Sequence, residues 1–259
     1  MGDYVDIGPV HMWYEHRGEG EPLLLLHGGL DTNALWVAQL EALVGHYRVY
    51  APERRGHGHT ADVDGRLSYD VMAHDMVAFV DKVVGEPVRV VGWSDGAIVG
   101  LLMAMARPDL VRSLVLIGGA ADVAGYVPEF HKIARLPGDS EEFQSFRAVY
   151  GAVSPDGPEH WPVVFGKVTA MWQSEPHLPV DDLEAVRAAT LLVCGDEVSL
   201  EHTVAMYRAI PGAELAVIPG TSHLAPLEKP DLVNRVLLDF LRGETVPEVL
   251  PVRRAPARV

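Results

Sequence analysis

Cysteine is almost absent: Cys194 is the one thiol in 259 residues, so no internal disulfide framework can staple this chain. That fits a reducing compartment, and the position of Cys194 at the end of an apolar run reads as an inert core thiol. Basic residues are scarce as well, 21 against 36 acids, and the resulting net charge of −15 repels phosphate backbones and anionic membrane surfaces. No apolar run approaches the roughly 20 residues of a membrane helix. The opening MGDYVDIGPV has no cationic segment followed by an apolar stretch, and Asp6 stands where a myristoylation signal needs Ser or Thr. There is no phosphate-cradling P-loop, no internal repeat, and one cysteine excludes a cysteine-based zinc site. His131, His160 and His177 are too scattered to propose as metal ligands. These absences leave a soluble, cytoplasmic protein acting on a small molecule, without nucleic acid, membrane, cofactor or metal, and with its oligomeric state open.

What is present is enough apolar sequence, 48%, for one large domain or one domain with an insertion. Short β-like runs alternate with helical ones, the pattern of an α/β protein with a mostly parallel sheet covered by helices. Strands are expected at 10–16 (paired with the run before it across Gly8-Pro9), 23–27, 47–51, 88–92, 112–117, 191–194 and 214–218. Helices are expected at 34–44, 67–84, 97–106, 200–209 and 231–241. In 67–84, Met72, Met76, Phe79, Val80 and Val83 recur at helical spacing, with Asp70, Asp75, Asp81 and Lys82 largely off that stripe. From 120 to 187 the rhythm breaks into proline-punctuated helical patches, read as an inserted helical cap. The core is then 1–119 and 188–242, and the Pro- and Arg-containing tail 243–259 is expected to be disordered.

Gly92-Trp93-Ser94-Asp95-Gly96 fits G-x-S-x-G and lies where a strand should end and a helix begin. Chance alone yields such a motif in a chain of this kind with odds of roughly one in ten, so its strand–turn–helix context carries the argument. A serine in that tight turn is lifted clear of the sheet, with the helix amino terminus supplying unpaired N–H groups. His27-Gly28-Gly29-Leu30 leaves another strand end and can aim a backbone N–H at the same point. Gly29 and Asp95 are therefore the candidate oxyanion donors, and His27 is expected to shape the loop. Among 12 histidines, His223 follows the last strand in a Gly/Pro turn at the carboxyl ends of the strands, which makes it the candidate base for Ser94. His57 and His59 read as turn-shaping residues.

With HGGL at 27–30, PERRGHGHT at 52–60, GWSDG at 92–96 and PGTSHLAPLEKP at 219–230, the chain resembles the capped members of the α/β-hydrolase family over about 10–242. The resemblance implies an eight-stranded, mostly parallel sheet, a lid between strands six and seven, and acyl-enzyme hydrolysis of esters, lactones, thioesters or amides. It maps the nucleophile onto Ser94, the base onto His223 and the oxyanion donors onto Gly29 and Asp95. GWSDG is similar to the elbow of valacyclovir-hydrolase-like members, which act on amino-acid esters. Many members carry the triad acid as G-x-x-D after strand seven, but counting from Gly195 lands on Val198. A loop shortened by a residue or two puts Asp196 in the slot; Glu197, Asp122 and a triad without an acid remain open beside it.

In the cap, Phe146, Tyr150, Trp161, Phe165, Met171 and Trp172 either line an apolar pocket or pack the cap on the sheet; Trp93, Trp172, Met171 and Tyr150 are the candidate substrate contacts. The Asp95 side chain either attracts a substrate amine or caps the helix start, and capping is preferred because an acid there is stabilising without a ligand. The expected activity is that of a serine carboxylesterase or lactonase. Its competitors are a non-hydrolytic enzyme of the same fold (cofactor-free oxygenase, lyase or perhydrolase) and a binding protein that kept the pocket.

Overall fold

The computed structural model describes residues 2–195 and 198–243; Asp196, Glu197 and the expected tail beyond Gly243 lie outside the described residues. The chain opens with a hairpin, β1 (Gly2–Ile7) and β2 (Val10–Arg17), turning at Gly8, followed by β3 (Pro22–Leu26) and α1 (Val37–Leu43). Next come β4 (Arg48–Pro52), α2 (Tyr69–Phe79), β5 (Val88–Trp93), α3 (Asp95–Ala106) and β6 (Val111–Ile117). Only helices and short helical turns separate β6 from β7: α4 (Pro128–Ile133), α5 (Gln144–Val153) and α6 (Trp161–Ser174). The chain then returns through β7 (Ala189–Cys194), α7 (Leu200–Ala209) and β8 (Glu214–Val217), and ends on α8 (Ala225–Glu228) and α9 (Pro230–Arg242).

The eight strands form one sheet in the order β1-β2-β4-β3-β5-β6-β7-β8, antiparallel through β2–β4 and parallel from β4 onward. Helices on both faces make the central strands predominantly apolar, and the period of two divides their side chains between two clusters. Leu24, Leu26, Val90, Leu114 and Leu116 face α2 and α3, meeting Met72, Met76, Phe79 and Met103. Leu23, Leu25, Val91, Trp93, Val115 and Ile117 face α1 and α9, meeting Leu43, Val233, Leu237 and Leu241. The helix α3 is buried nearly all round, so it occupies the centre of its layer.

Two expectations need correction. The run at 34–44 begins as a 3-10 turn, Asn33–Trp36, because Thr32 Oγ1 accepts the Ala34 N–H and Glu53 Oε1 accepts the Asn33 N–H, holding the first turn to β4. Asp75 is not on a solvated face: it is buried and accepts two hydrogen bonds from Arg55, from Nε at 2.7 Å and Nη2 at 2.8 Å. An acid on the inner side of α2 is stable there because this bidentate partner arrives from the loop after β4.

That loop also meets the inserted helices. Asp62 Oδ2 accepts from Lys167 Nζ at 2.7 Å and is 2.9 Å from His160 Nε2. Val123 donates its N–H to Pro176 O, and Asp122 and His177 form an isolated bridge, so the segment between β6 and β7 closes on itself.

Candidate active site

Ser94 sits in the turn between β5 and α3 with φ 57° and ψ −121°, a conformation that costs a non-glycine residue roughly 1–3 kcal/mol. The turn is held because its neighbours leave no alternative. A Cβ on Gly92 would strike the Gly96 carbonyl, and a Cβ on Gly96 would strike the Leu26 carbonyl at the end of β3. Ser94 donates its N–H to Ile117 O at 2.8 Å, and its own carbonyl accepts from Ala97 N–H at 2.8 Å, so α3 starts at once.

The loop after β3 lies beside it: a Cβ placed on Gly28 would be 3.6 Å from Ser94 Cβ and 3.6 Å from Asp31 Oδ2. On its other flank, a Cβ on Gly29 would collide with the Asp95 carboxylate and come within 2.7 Å of Trp172 Cζ2. Close approach thus requires glycine at position 29, whereas a Cβ on Gly28 would make only ordinary van der Waals contacts. His27 is fully buried; its Nε2 accepts the Arg54 N–H at 3.2 Å, which leaves the proton on Nδ1 to be donated to Gly28 O at 2.7 Å. Burial first, then the Arg54 charge, hold His27 well below the ordinary histidine pKa.

His223 follows β8 on a loop packed against the other strand ends. Trp93, the residue before Ser94, donates its indole N–H to His223 O at 2.9 Å. A Cβ on Gly118, just past β6, would stand 3.0 Å from His223 Nδ1. The same loop is pinned by Glu228, which accepts from Ser222 N–H and Ser222 Oγ, each at 2.7 Å. Burial pushes His223 down to a pKa of about 4, so its imidazole is a neutral acceptor at ordinary pH.

Of the acids, Asp196 and Glu197 lie outside the described residues. Their neighbours are visible: a Cβ on Gly195 would strike Ser222 O, while Val198 is buried with Tyr126 and Phe130. Asp122 is occupied elsewhere, with Oδ1 accepting from Ala124 N–H at 2.8 Å and Oδ2 lying 3.0 Å from His177 Nδ1.

The capping role expected of the Asp95 side chain is overturned. Asp95 Oδ1 accepts from Tyr69 Oη at 2.9 Å and from Trp172 Nε1 at 2.9 Å, so its carboxylate hydrogen-bonds to side chains of other helices. Both donors are neutral, Tyr69 coming from α2 and Trp172 from α6. Burial raises the Asp95 pKa, against the pull of Arg54 and of both donors.

Among the candidate substrate contacts, Trp172 brings its side chain to the loop beside Ser94. Trp93 lies in the apolar cluster on the α1/α9 face, edge-on to Trp36. Tyr150 packs on Trp161 inside the inserted segment, as does Phe165. Met171 borders a cavity of about 450 Å³ shared with Leu67, Val163 and Lys167. Sequence reasoning passed over Arg54, Asp31 and Tyr69. Arg54 stood inside a quoted landmark, and Asp31 directly follows HGGL, so unpaired charges flanking a glycine loop were the signal available.

Among the described residues no helix is long and apolar enough to cross a membrane, and no three His, Cys, Asp or Glu side chains gather so as to hold a metal ion.

A family model described as the alpha/beta hydrolase family matches residues 23–236. The chain is similar to a putative carbamate hydrolase, RutD, of Azorhizobium caulinodans, at 27% identity covering 92% of this chain and 97% of that one. It is 28% identical to the serine hydrolase BPHL of Mus musculus, covering 92% of this chain and 85% of the relative. Among solved structures, a thermophilic esterase from Thermogutta terrifontis superposes with a TM-score of 0.73 at 26% identity, covering 93% of this chain and 98% of that one.

Proposed function

Because this chain belongs to the alpha/beta hydrolase family, we propose that it is a serine hydrolase cleaving a small-molecule carboxylic ester or lactone through an acyl-enzyme. Ser94 Oγ attacks the carbonyl carbon while His223 takes the hydroxyl proton. The amides of Gly29 and Asp95 stabilise the oxyanion, a contribution whose loss costs roughly 10²–10³ in rate per donor. His223 then protonates the departing alkoxide, and a water deprotonated by His223 cleaves the acyl-enzyme to release the acid.

The observation that carries the reading is the strained Ser94 backbone, held between Gly92 and Gly96 at the start of a buried helix and beside the Gly28-Gly29 loop. Such strain persists where the surroundings over-determine it, and it serves to present a nucleophile. His223 is anchored through Trp93, so base and nucleophile share one support. Asp196 is our choice of triad acid. The contact of Gly195 with the His223 loop supports it, as do the apolar burial of Val198 and the engagement of both Asp122 oxygens. The acid keeps His223 in the productive tautomer and stabilises its cation.

The test is Ser94→Ala assayed on p-nitrophenyl acetate and a small lactone panel. Turnover is expected to fall by at least about 10³-fold with the urea midpoint unchanged, and a fluorophosphonate probe is expected to label the native chain and not the variant. A variant that keeps most of its turnover overturns the reading.

A further inference from the structure

Arg54 is among the largest fully buried side chains of the protein, and enclosing a guanidinium is costly enough to require a reason. The neighbouring Arg55 has the usual one, a bidentate carboxylate on α2. Arg54 instead spends its terminal nitrogens on main-chain carbonyls: Nη1 donates to His27 O at 2.5 Å and Nη2 to Gly28 O at 3.0 Å. Its own backbone N–H fixes the His27 tautomer, and His27 Nδ1 then adds a second hydrogen bond to Gly28 O. Its Nε has no partner. Burial lowers the Arg54 pKa to about 10, and Asp95, Tyr69 and Asp31 oppose that only through space, so the guanidinium keeps its charge at ordinary pH.

The two clamped carbonyls are those of consecutive peptides. Both peptides are trans, the cis bond among the described residues being Glu175-Pro176. In a trans peptide the N–H points opposite to the C=O. Fixing the carbonyls of His27 and Gly28 on one side therefore fixes the amides of Gly28 and Gly29 on the other. Glycine has little intrinsic preference of its own, so without a clamp these planes would sample many orientations. A cation on each carbonyl also polarises the peptide and makes its N–H a stronger donor.

We propose that Arg54 is a positioning residue for the oxyanion hole: its guanidinium holds the His27 and Gly28 carbonyls so that the Gly29 amide stays aimed at the developing oxyanion over Ser94. The assignment rests on the serine-hydrolase reading above. Arg54 touches no reacting atom; it lowers the barrier by removing the reorganisation that the loop would otherwise undergo in the transition state. Lysine replaces it poorly, since its compact, strongly hydrated ammonium on a flexible stem lacks the rigid planar fork that fixes two carbonyls in one geometry.

The experiment uses Arg54→Lys and Arg54→Ala with p-nitrophenyl acetate, beside Ser94→Ala. The expected result is a kcat loss of roughly ten- to a hundredfold in both Arg54 variants, smaller than removal of a donor. KM should stay within about twofold, and the pH dependence set by His223 should be unchanged. An alkyl trifluoromethyl ketone, which forms an oxyanion on Ser94, should lose affinity in proportion to kcat/KM. Millimolar guanidinium chloride should restore part of the Arg54→Ala rate, and sodium chloride should not. If Arg54→Ala fails to fold, Arg54→Lys alone carries the kcat and inhibitor measurements. The proposal is overturned if a folded variant keeps its kcat within about twofold, or if the loss appears in KM with inhibitor affinity intact. Loss of turnover in Ser94→Ala together with normal kcat in the Arg54 variants refutes only the clamp, whereas an active Ser94→Ala refutes the underlying reading.

Discussion

Replacing Asp31 with Asn tests the electrostatics of the loop beside Ser94 without touching a proposed reacting group. Burial raises Asp31 from 3.8 to about 7, against the Thr32 N–H and Arg54, with Asp95 adding to the rise. The native state thus holds this proton between about pH 4 and pH 7 while the unfolded chain has released it. Stability contributed by the protonated group is complete below the unfolded pKa and is lost as pH rises through about 7. A shift of about 3 units at roughly 1.4 kcal/mol each sets a ceiling of about 4 kcal/mol. Asp31 is only half-buried, so solvent screening reduces the expected effect to about 2 kcal/mol. Asparagine keeps an acceptor for the Thr32 N–H and never charges. Urea unfolding of the native chain and Asp31→Asn should therefore differ by no more than about 1 kcal/mol at pH 5. At pH 9 the variant should be more stable by about 2 kcal/mol, because only the native chain then buries a charge. A difference that is the same at both pH values, or a native chain that is the more stable at pH 9, would refute the reasoning.

Two further measurements address the proposed triad. Since burial holds His223 down at about 4, the base is neutral well below ordinary pH. The acidic limb of kcat/KM for ester hydrolysis should have its midpoint below 6.5, and a midpoint at or above that value would contradict it. Asp196→Asn should lower kcat by several orders of magnitude, on the order of 10³–10⁴. Asp122→Asn, which cuts only a tie to His177, should stay within about threefold on the same substrate; equal losses in the two variants would reject Asp196 as the acid.

The layers of this protein were legible because apolar periodicity is local. The unbroken run Leu23-Leu24-Leu25-Leu26 marks a strand buried on both faces, and the pleat divides its side chains between two clusters. The tight turn at Ser94 was legible for a similar reason: only glycine fits where Gly92 and Gly96 approach backbone so closely. Asp75 and Asp95 were misplaced because the fate of a carboxylate depends on donors from distant segments. Arg55 reaches Asp75 from 20 residues away, and Trp172 reaches Asp95 across 77. Trp93 was expected to meet substrate, but strand alternation turns it to the face opposite the one that Leu26 packs.

The succession of strands and helices, the glycine landmarks and the places of Ser94 and His223 were therefore readable along the chain. Which charges are buried, and what each one holds, came only with the packed molecule. Short-range sterics and periodicity are carried by neighbouring residues. The cost of enclosing Arg54, Asp31 or Asp95 depends on which dipoles and hydrogen-bond partners the finished fold brings to them, and those come from segments that meet only in three dimensions.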